Sequence, residues 1–280
     1  MGDATANHER TLDDCERTTF THGGATRDVF RLGEGPAVLV IAEMPGITPN
    51  VLAFAGRVAE LGCTAVLPHL FGTPGKPADA SEPMRTVPYL LSSMVPACIS
   101  REFSVLAAGR TSPIVDWLRA LAADEHERCG GPGVGAVGMC FTGGFALAMA
   151  ADDRLLAPVL SQPSLPFPVS KRNRGSIDCS PDDLAKVKHR CDTEGLTVLG
   201  LRFTGDKAVP AERFEFLRRE LGDAFVAVEI DSSKGNEHGN PRMAHSVLTE
   251  NLVDEPGHPT RDALDQVLEL FRTRLLGDSK

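Results

Sequence analysis

Residues 134–150 read V-G-A-V-G-M-C-F-T-G-G-F-A-L-A-M-A, and the fold turns on this stretch. Val134 to Met139 is a short apolar run of the kind that forms a strand buried on both faces, and Gly143 to Ala150 is small and apolar enough for a buried helix. Cys140 stands between them. A chain that leaves a strand and enters a helix in one sharp turn crowds its own backbone, so glycines are needed close to either side of the apex. Gly138 and the pair Gly143–Gly144 supply them. The apex side chain is then pushed out beyond the end of the sheet. The following helix aims its free N–H groups and positive dipole end at the same spot, a setting that favours a thiolate. A lone cysteine is usually a small buried hydrophobe; this placement makes Cys140 a candidate nucleophile.

Working outward, strands and helices alternate. Ala37 to Ala42 is a continuous apolar run expected for a central strand. Pro49 to Leu61 has helical periodicity stopped by Gly62, and Cys63 to Pro68 is the next strand, which makes a β-α-β unit with parallel strands. Ahead of them, Arg17 to Thr21 and Thr26 to Leu32 flank His22-Gly23-Gly24 as an antiparallel hairpin. Phe71 to Ser100, rich in Pro, Gly and Ser, reads as a long excursion over the end of the sheet, helical in part near Tyr89 to Ile99. Ser112 reads as the N-cap and Pro113 as N1 of a helix to Arg128 that leads into the 134–150 stretch.

Beyond that stretch come a strand at Leu155 to Ser161 and a proline-rich loop from Gln162 to Pro168. A helix opened by Ser180-Pro181-Asp182-Asp183 follows, with Lys186 to Arg190 as its basic last turn. A strand at Leu196 to Thr204, a helix at Pro210 to Leu221, a strand at Ala224 to Ile230 and a final helix at Pro259 to Leu276 complete the series. The pattern predicts an α/β protein with residues 1–16 as a flexible tail and 17–280 as a single domain.

Composition excludes several classes. The chain is 42% hydrophobic and 24% charged over 280 residues, ordinary for a globular protein. A net charge of -9 and a pI near 5.4 offer no electrostatic footprint for nucleic acid or an anionic membrane. No run of about 18 apolar residues exists to span a bilayer, and the first residues have no apolar core of a secretion signal, so a cytoplasmic location is expected. The seven scattered cysteines lack a C-x-x-C pair and read as reduced thiols. No metal or organic cofactor is expected.

The 134–150 stretch is the nucleophile-elbow pattern of the α/β-hydrolases with cysteine in place of serine. Taken with three other segments, the chain resembles the dienelactone hydrolase family, whose members carry Gly-x-Cys-x-Gly-Gly and a Cys-Asp-His triad. The resemblance runs from about Ala37 to Leu276. It implies the α/β-hydrolase fold, a mostly parallel central sheet with helices on both faces. In Ala42-Glu43-Met44-Pro45-Gly46 it gives Glu43 the place of a thiol-positioning glutamate and Met44 that of an oxyanion N–H donor. The second donor expected for a tetrahedral oxyanion is the N–H of Phe141, the residue after the nucleophile. In Gly205-Asp206-Lys207-Ala208-Val209-Pro210 it makes Asp206 the triad acid.

Two histidines follow the last strand, His238 in G-N-E-H-G-N and His245 in M-A-H-S-V-L, and either fits the chain order nucleophile, acid, histidine. Ala-His-Ser is similar to the family's Gly-His-Ser-Phe and points to His245, with His238 as the alternative. There are departures. The family places an arginine four residues after that histidine to grip a substrate carboxylate, and the residue here is Thr249, which puts a dienelactone substrate in doubt. Arg101 is a candidate for binding an acidic substrate group, since a guanidinium matches carboxylate geometry; pairing with Glu102 is the competing reading.

The expected activity is hydrolysis of an ester or lactone of a small molecule through Cys140, Asp206 and His245 and a thioester acyl-enzyme. A carboxylesterase or thioesterase of another substrate class, and a non-catalytic ligand-binding protein on the same fold, are the alternatives.

Overall fold

Glu16–His22 (β1) and Ala25–Leu32 (β2) pair antiparallel around the Gly23–Gly24 turn, the hairpin expected from that turn. The structure is a computed structural model that describes residues 10–78, 83–100 and 102–277. β2 continues antiparallel onto Thr64–Pro68 (β4), and β4 pairs parallel with Ala37–Ile41 (β3). From β3 the sheet stays parallel through Val134–Met139 (β5), Leu155–Ser161 (β6), Val198–Phe203 (β7) and Phe225–Ile230 (β8). Among the described residues the order is β1-β2-β4-β3-β5-β6-β7-β8, eight strands in one sheet.

The helices are Pro49–Glu60 (α1), Pro83–Ile99 (α2), Ile114–Cys129 (α3), Phe145–Met149 (α4), Lys171–Arg174 (α5), Pro181–Glu194 (α6), Ala211–Leu221 (α7) and Pro259–Phe271 (α8). The apolar residues of α1 and α8 pack on one face of the sheet and those of α3, α4, α6 and α7 on the other. Alternate residues of β3 feed both cores: Ala37, Leu39 and Ile41 point to one, Val38 and Val40 to the other, and all are fully buried. That is why these strands read as unbroken apolar runs. Truncating Leu39 to alanine would cost about 2–5 kcal/mol in cavity and transfer terms. The arrangement is the α/β-hydrolase fold expected from the sequence.

Five local expectations change. Ser112 does not cap α3: the N-cap is Pro113, and the buried Ser112 hydroxyl instead donates to Asp178 Oδ2 at 2.6 Å and accepts from Ser104 N–H at 2.7 Å. α6 runs past Arg190 to Glu194 because the Arg190 side chain turns inward, donating to the carbonyls of Ala150, Asp152 and Leu155 at 2.7–2.9 Å. α2 is longer than the segment near Tyr89 to Ile99, holding Pro88 and Pro96 within it. It is pinned where the Tyr89 hydroxyl accepts from Thr73 N–H at 3.0 Å and donates to Thr73 O at 3.1 Å. The last helix is regular only to Phe271 and closes in a π-helical turn over Arg272–Leu276. At the other end, Leu12–Asp14 form a 3-10 turn whose Leu12 packs on the α1 side core, so part of the segment read as a tail lies against the domain.

Candidate active site

Cys140 follows β5 directly and has φ +53°, a left-handed backbone that costs a non-glycine residue about 1–3 kcal/mol. The neighbours make it obligatory. A Cβ on Gly138 would lie 2.1 Å from the Thr142 carbonyl oxygen, and one on Gly143 would lie 2.5 Å from Pro163 Cα, so both positions exclude any side chain. Two residues after the apex, where the family pattern Gly-x-Cys-x-Gly-Gly has its first glycine, stands Thr142. Its buried hydroxyl donates to Ile41 O at 2.7 Å and accepts from Met139 N–H at 2.9 Å, stitching the turn to the end of β3. The expected helix from Gly143 to Ala150 is reduced to a 3-10 turn at Cys140–Thr142 and the five residues of α4. The long helix dipole expected behind the thiol is therefore absent, and a short turn and five helical residues stand in its place.

His245 and Asp206 meet across two loops at the same end of the sheet. Asp206 leaves β7, and its Oδ1 accepts from Ala208 N–H at 2.9 Å, which fixes the carboxylate. Its Oδ2 lies 2.6 Å from His245 Nδ1, with side-chain exposures of 6% and 27%. Burial opposes a charge on His245, but the negative charge of Cys140 and the bond to Asp206 outweigh it and hold the imidazole well above its ordinary pKa. The histidine loop is clamped from outside: Asn251 Oδ1 accepts from the N–H groups of His245 and Ser246 at 2.8 and 3.1 Å. His238 is elsewhere, with its ring centroid 5.5 Å from that of His258 in an edge-on contact. Of the two histidines, His245 is the one joined to Asp206.

Glu43 is not a solvated carboxylate. It is 4% exposed, and Oε2 accepts from Ser246 Oγ at 2.6 Å and Gln162 Nε2 at 3.3 Å, while Oε1 accepts from the Thr249 hydroxyl. A ligand-type atom of each of Glu43, Cys140 and His245 lies within 4.8 Å of the others. Thr249, at the place where the resemblance led one to look for an arginine, thus holds the glutamate instead.

Met44 is half-buried at the loop after β3, and Phe141 is buried with its ring 5.5 Å from Phe71, 5.3 Å from Phe103 and 6.2 Å from Phe167. Phe71 and Phe103 also line a cavity of about 280 Å³ beneath α2. A larger one, about 670 Å³, lies between α8 and the β7–β8 edge and includes none of these residues. Arg101 lies outside the described residues. Glu102, its competing partner, accepts from Arg27. His69 lies in the loop after β4, with Nε2 3.0 Å from Gly72 O.

Several residues of the site escape sequence reasoning. Gln162, the first residue after β6, is fully buried at φ +35°, and its Oε1 accepts from Val247 N–H at 3.2 Å as well as from Ser161. Ser164 donates its N–H to Cys140 O at 2.9 Å and places its hydroxyl 3.5 Å from Cys140 Sγ. Arg213, fully buried, donates to the carbonyls of Pro163, Pro166 and Ser176 at 2.6–2.7 Å and so fixes the loop that carries Ser164. Burial lowers its pKa to about 10, which leaves it charged at neutral pH. Beneath the elbow, Asp178 Cβ stands 3.2 Å from where a side chain on Gly144 would begin. Burial raises this carboxyl to about 7 against the opposing bonds from Ser112. The one available signal was position: polar residues interrupting apolar runs at the C-terminal ends of parallel strands, where sites of such sheets gather.

The family model of the dienelactone hydrolases matches residues 29–275. Among solved structures, a Klebsiella pneumoniae protein assigned to the dienelactone hydrolases is similar, with 17% identity over 92% of this chain and 97% of that one and a TM-score of 0.59. A dienelactone hydrolase-like promiscuous phosphotriesterase from metagenomic libraries has 17% identity, 93% and 98% coverage and a TM-score of 0.55. A dienelactone hydrolase from Anabaena variabilis has 19% identity, 94% and 99% coverage and a TM-score of 0.51. At these identities the likeness is one of fold. Among curated proteins no relative matches.

Proposed function

Since this chain belongs to the dienelactone hydrolase family, we propose that it cleaves carboxylic ester or lactone bonds of a small molecule with Cys140 as nucleophile. The observation that carries this reading is the 2.6 Å contact of His245 Nδ1 with Asp206 beside a thiol held on a strained elbow. Asp206 fixes the ring so that Nδ1 carries a proton and Nε2 is left for the thiol. Imidazole takes the thiol proton, and the thiolate attacks the ester carbonyl. The N–H groups of Met44 and Phe141 receive the oxyanion. The tetrahedral species collapses to a thioester on Cys140, the alcohol leaving with the proton from His245. The same imidazole then activates water, the thioester is cleaved and the acid departs.

Glu43 positions the thiol from its buried seat among neutral donors, and Ser164 supplies a hydroxyl on the thiol's other flank. The aromatic cluster around Phe141 favours an apolar group beside the scissile bond. Because Thr249 offers no cation, the preferred substrates are esters without a carboxylate next to the reacting carbonyl. No step calls on a cofactor. A thiol nucleophile suits a reducing compartment such as the cytoplasm.

The test is turnover of short-chain p-nitrophenyl esters by the wild type, Cys140→Ala and His245→Ala, before and after iodoacetamide. The proposal expects turnover in the untreated wild type alone. Turnover that persists in Cys140→Ala would reject it.

A further inference from the structure

We infer that the site also takes one thiophilic divalent cation of the zinc class, ligated by Cys140 Sγ, the free imidazole nitrogen of His245 and a carboxylate oxygen of Glu43. The binding rests on the donor geometry alone; only its consequence, arrest of hydrolysis, rests on the function proposed above.

A thiolate, an imidazole and a carboxylate are the donor types zinc selects, and here they converge from three separate loops. Their ligand atoms lie within 4.8 Å of one another. Metal–ligand bonds of about 2.0–2.3 Å place tetrahedral donors roughly 3.5 Å apart, so small side-chain rotations close the set. Among the described residues this is the one group of three such donors. The other six cysteines belong to none, which separates the site from generic thiol binding.

The outer shell of a metal site is already built. Metal-bound histidines characteristically give their second N–H to a carboxylate, and His245 Nδ1 does so to Asp206 at 2.6 Å. Ligating carboxylates are themselves hydrogen-bonded, and Glu43 is held by Ser246 and Gln162 on Oε2 and by Thr249 on Oε1, which leaves Oε1 a lone pair. The thiolate and Glu43 together balance a 2+ charge. Cys140 and His245 are only half-buried, which gives the ion an entry path and leaves its fourth position to water. On binding, bonds from the metal to sulfur and nitrogen replace the proton shared by Cys140 and His245. That proton leaves to solvent and no electrons move.

The test is a Co2+ titration of the full chain under reducing conditions, followed by absorption. One equivalent should give a thiolate-to-cobalt charge-transfer band that Zn2+ displaces. The band should vanish in Cys140→Ser, and Glu43→Gln should weaken Co2+ binding about tenfold or more. Where circular dichroism finds Cys140→Ser misfolded, wild type alkylated with iodoacetamide takes its place and should also lack the band. No thiolate band, a band that survives loss of the Cys140 thiol, or unchanged affinity in Glu43→Gln would each overturn the assignment. Zn2+ in the same concentration range should stop ester turnover, with EDTA restoring it.

Discussion

Cys140 and Gln162 share an unusual backbone: among the described residues they are the two non-glycine positions with left-handed φ, +53° and +35°. Each is the first residue after a parallel strand, and the strands are neighbours in register, Met139 facing Ser161. The same turn serves opposite ends. At Cys140 it pushes a thiol out toward half-exposure; at Gln162 it drives an amide fully inside, where it ties Glu43 to the backbone of the histidine loop. Their supports differ as well. The elbow rests with Gly144 against Asp178, whose carboxyl accepts from Ser112, while the loop of Gln162 hangs on the Arg213 guanidinium. A strained strand end is thus not by itself a mark of chemistry. Which way the side chain faces, and what is fixed around it, makes the difference.

The comparison breaks most sharply at the thiol. Cys140→Ala and His245→Ala should each lower kcat on activated esters by about 10^4-fold or more, while Tm, read by calorimetry, moves little. Next is Asp206→Asn, which keeps the packing but presents the wrong partner to Nδ1 and should cost about 10^3-fold in kcat. The His245 pKa, followed by NMR, should fall in the same variant as the raising contact is lost.

The elbow's support has a pH signature. Asp178 moves from 3.8 to about 7, so the folded state holds a proton that the unfolded chain has released. Stability from this group is therefore complete below about pH 4, is lost as pH climbs to about 7, and is flat above, a total of at most about 4 kcal/mol. Asp178→Asn should gain on the wild type across that window in urea midpoints measured at pH 5, 6, 7 and 8. A difference independent of pH would remove the buried carboxyl from the account.

The smallest effects belong to Gln162. Gln162→Ala leaves Val247 N–H and part of Glu43 without partners and should cost about 1–3 kcal/mol. Gln162→Gly makes the same deletions but accepts φ +35° without strain, so it should be about 1 kcal/mol more stable than the alanine variant. Equal midpoints for the two in denaturant would say that the turn at Gln162 is not strained.

The same contrast marks what could be read in advance. Cys140 was legible because its turn needs glycines, and the strand–turn–helix pattern around it fixed the fold class. Asp206 was legible from the resemblance of the Gly205–Pro210 turn, which follows the second strand after the elbow. Spacing leaves both His238 and His245 open, and in the structure it is the His245 ring that meets the Asp206 carboxylate. Gln162 was silent: Ser161 and Pro163 flank it with no glycine, because arginine and backbone contacts from distant segments hold the turn instead. Ser112 and Arg190 were misread for one reason. Local signals for a cap and a basic last turn were overridden by buried partners, Asp178 for the serine and the carbonyls after α4 for the arginine. The stretch rich in Pro, Gly and Ser read as helical only in part, yet α2 runs through Pro88 and Pro96, with Tyr89 and Ala97 buried.

The measurement that tests the central claim most directly is rapid acid quench of the wild type during turnover of an acyl ester, followed by peptide mass spectrometry. A cysteine hydrolase of this design predicts the acyl mass as a thioester on the peptide bearing Cys140, absent in Cys140→Ala and accumulating in a slow-deacylating His245 variant given an activated ester. Turnover with no acyl group ever found on Cys140, or with the adduct on another residue, would contradict it.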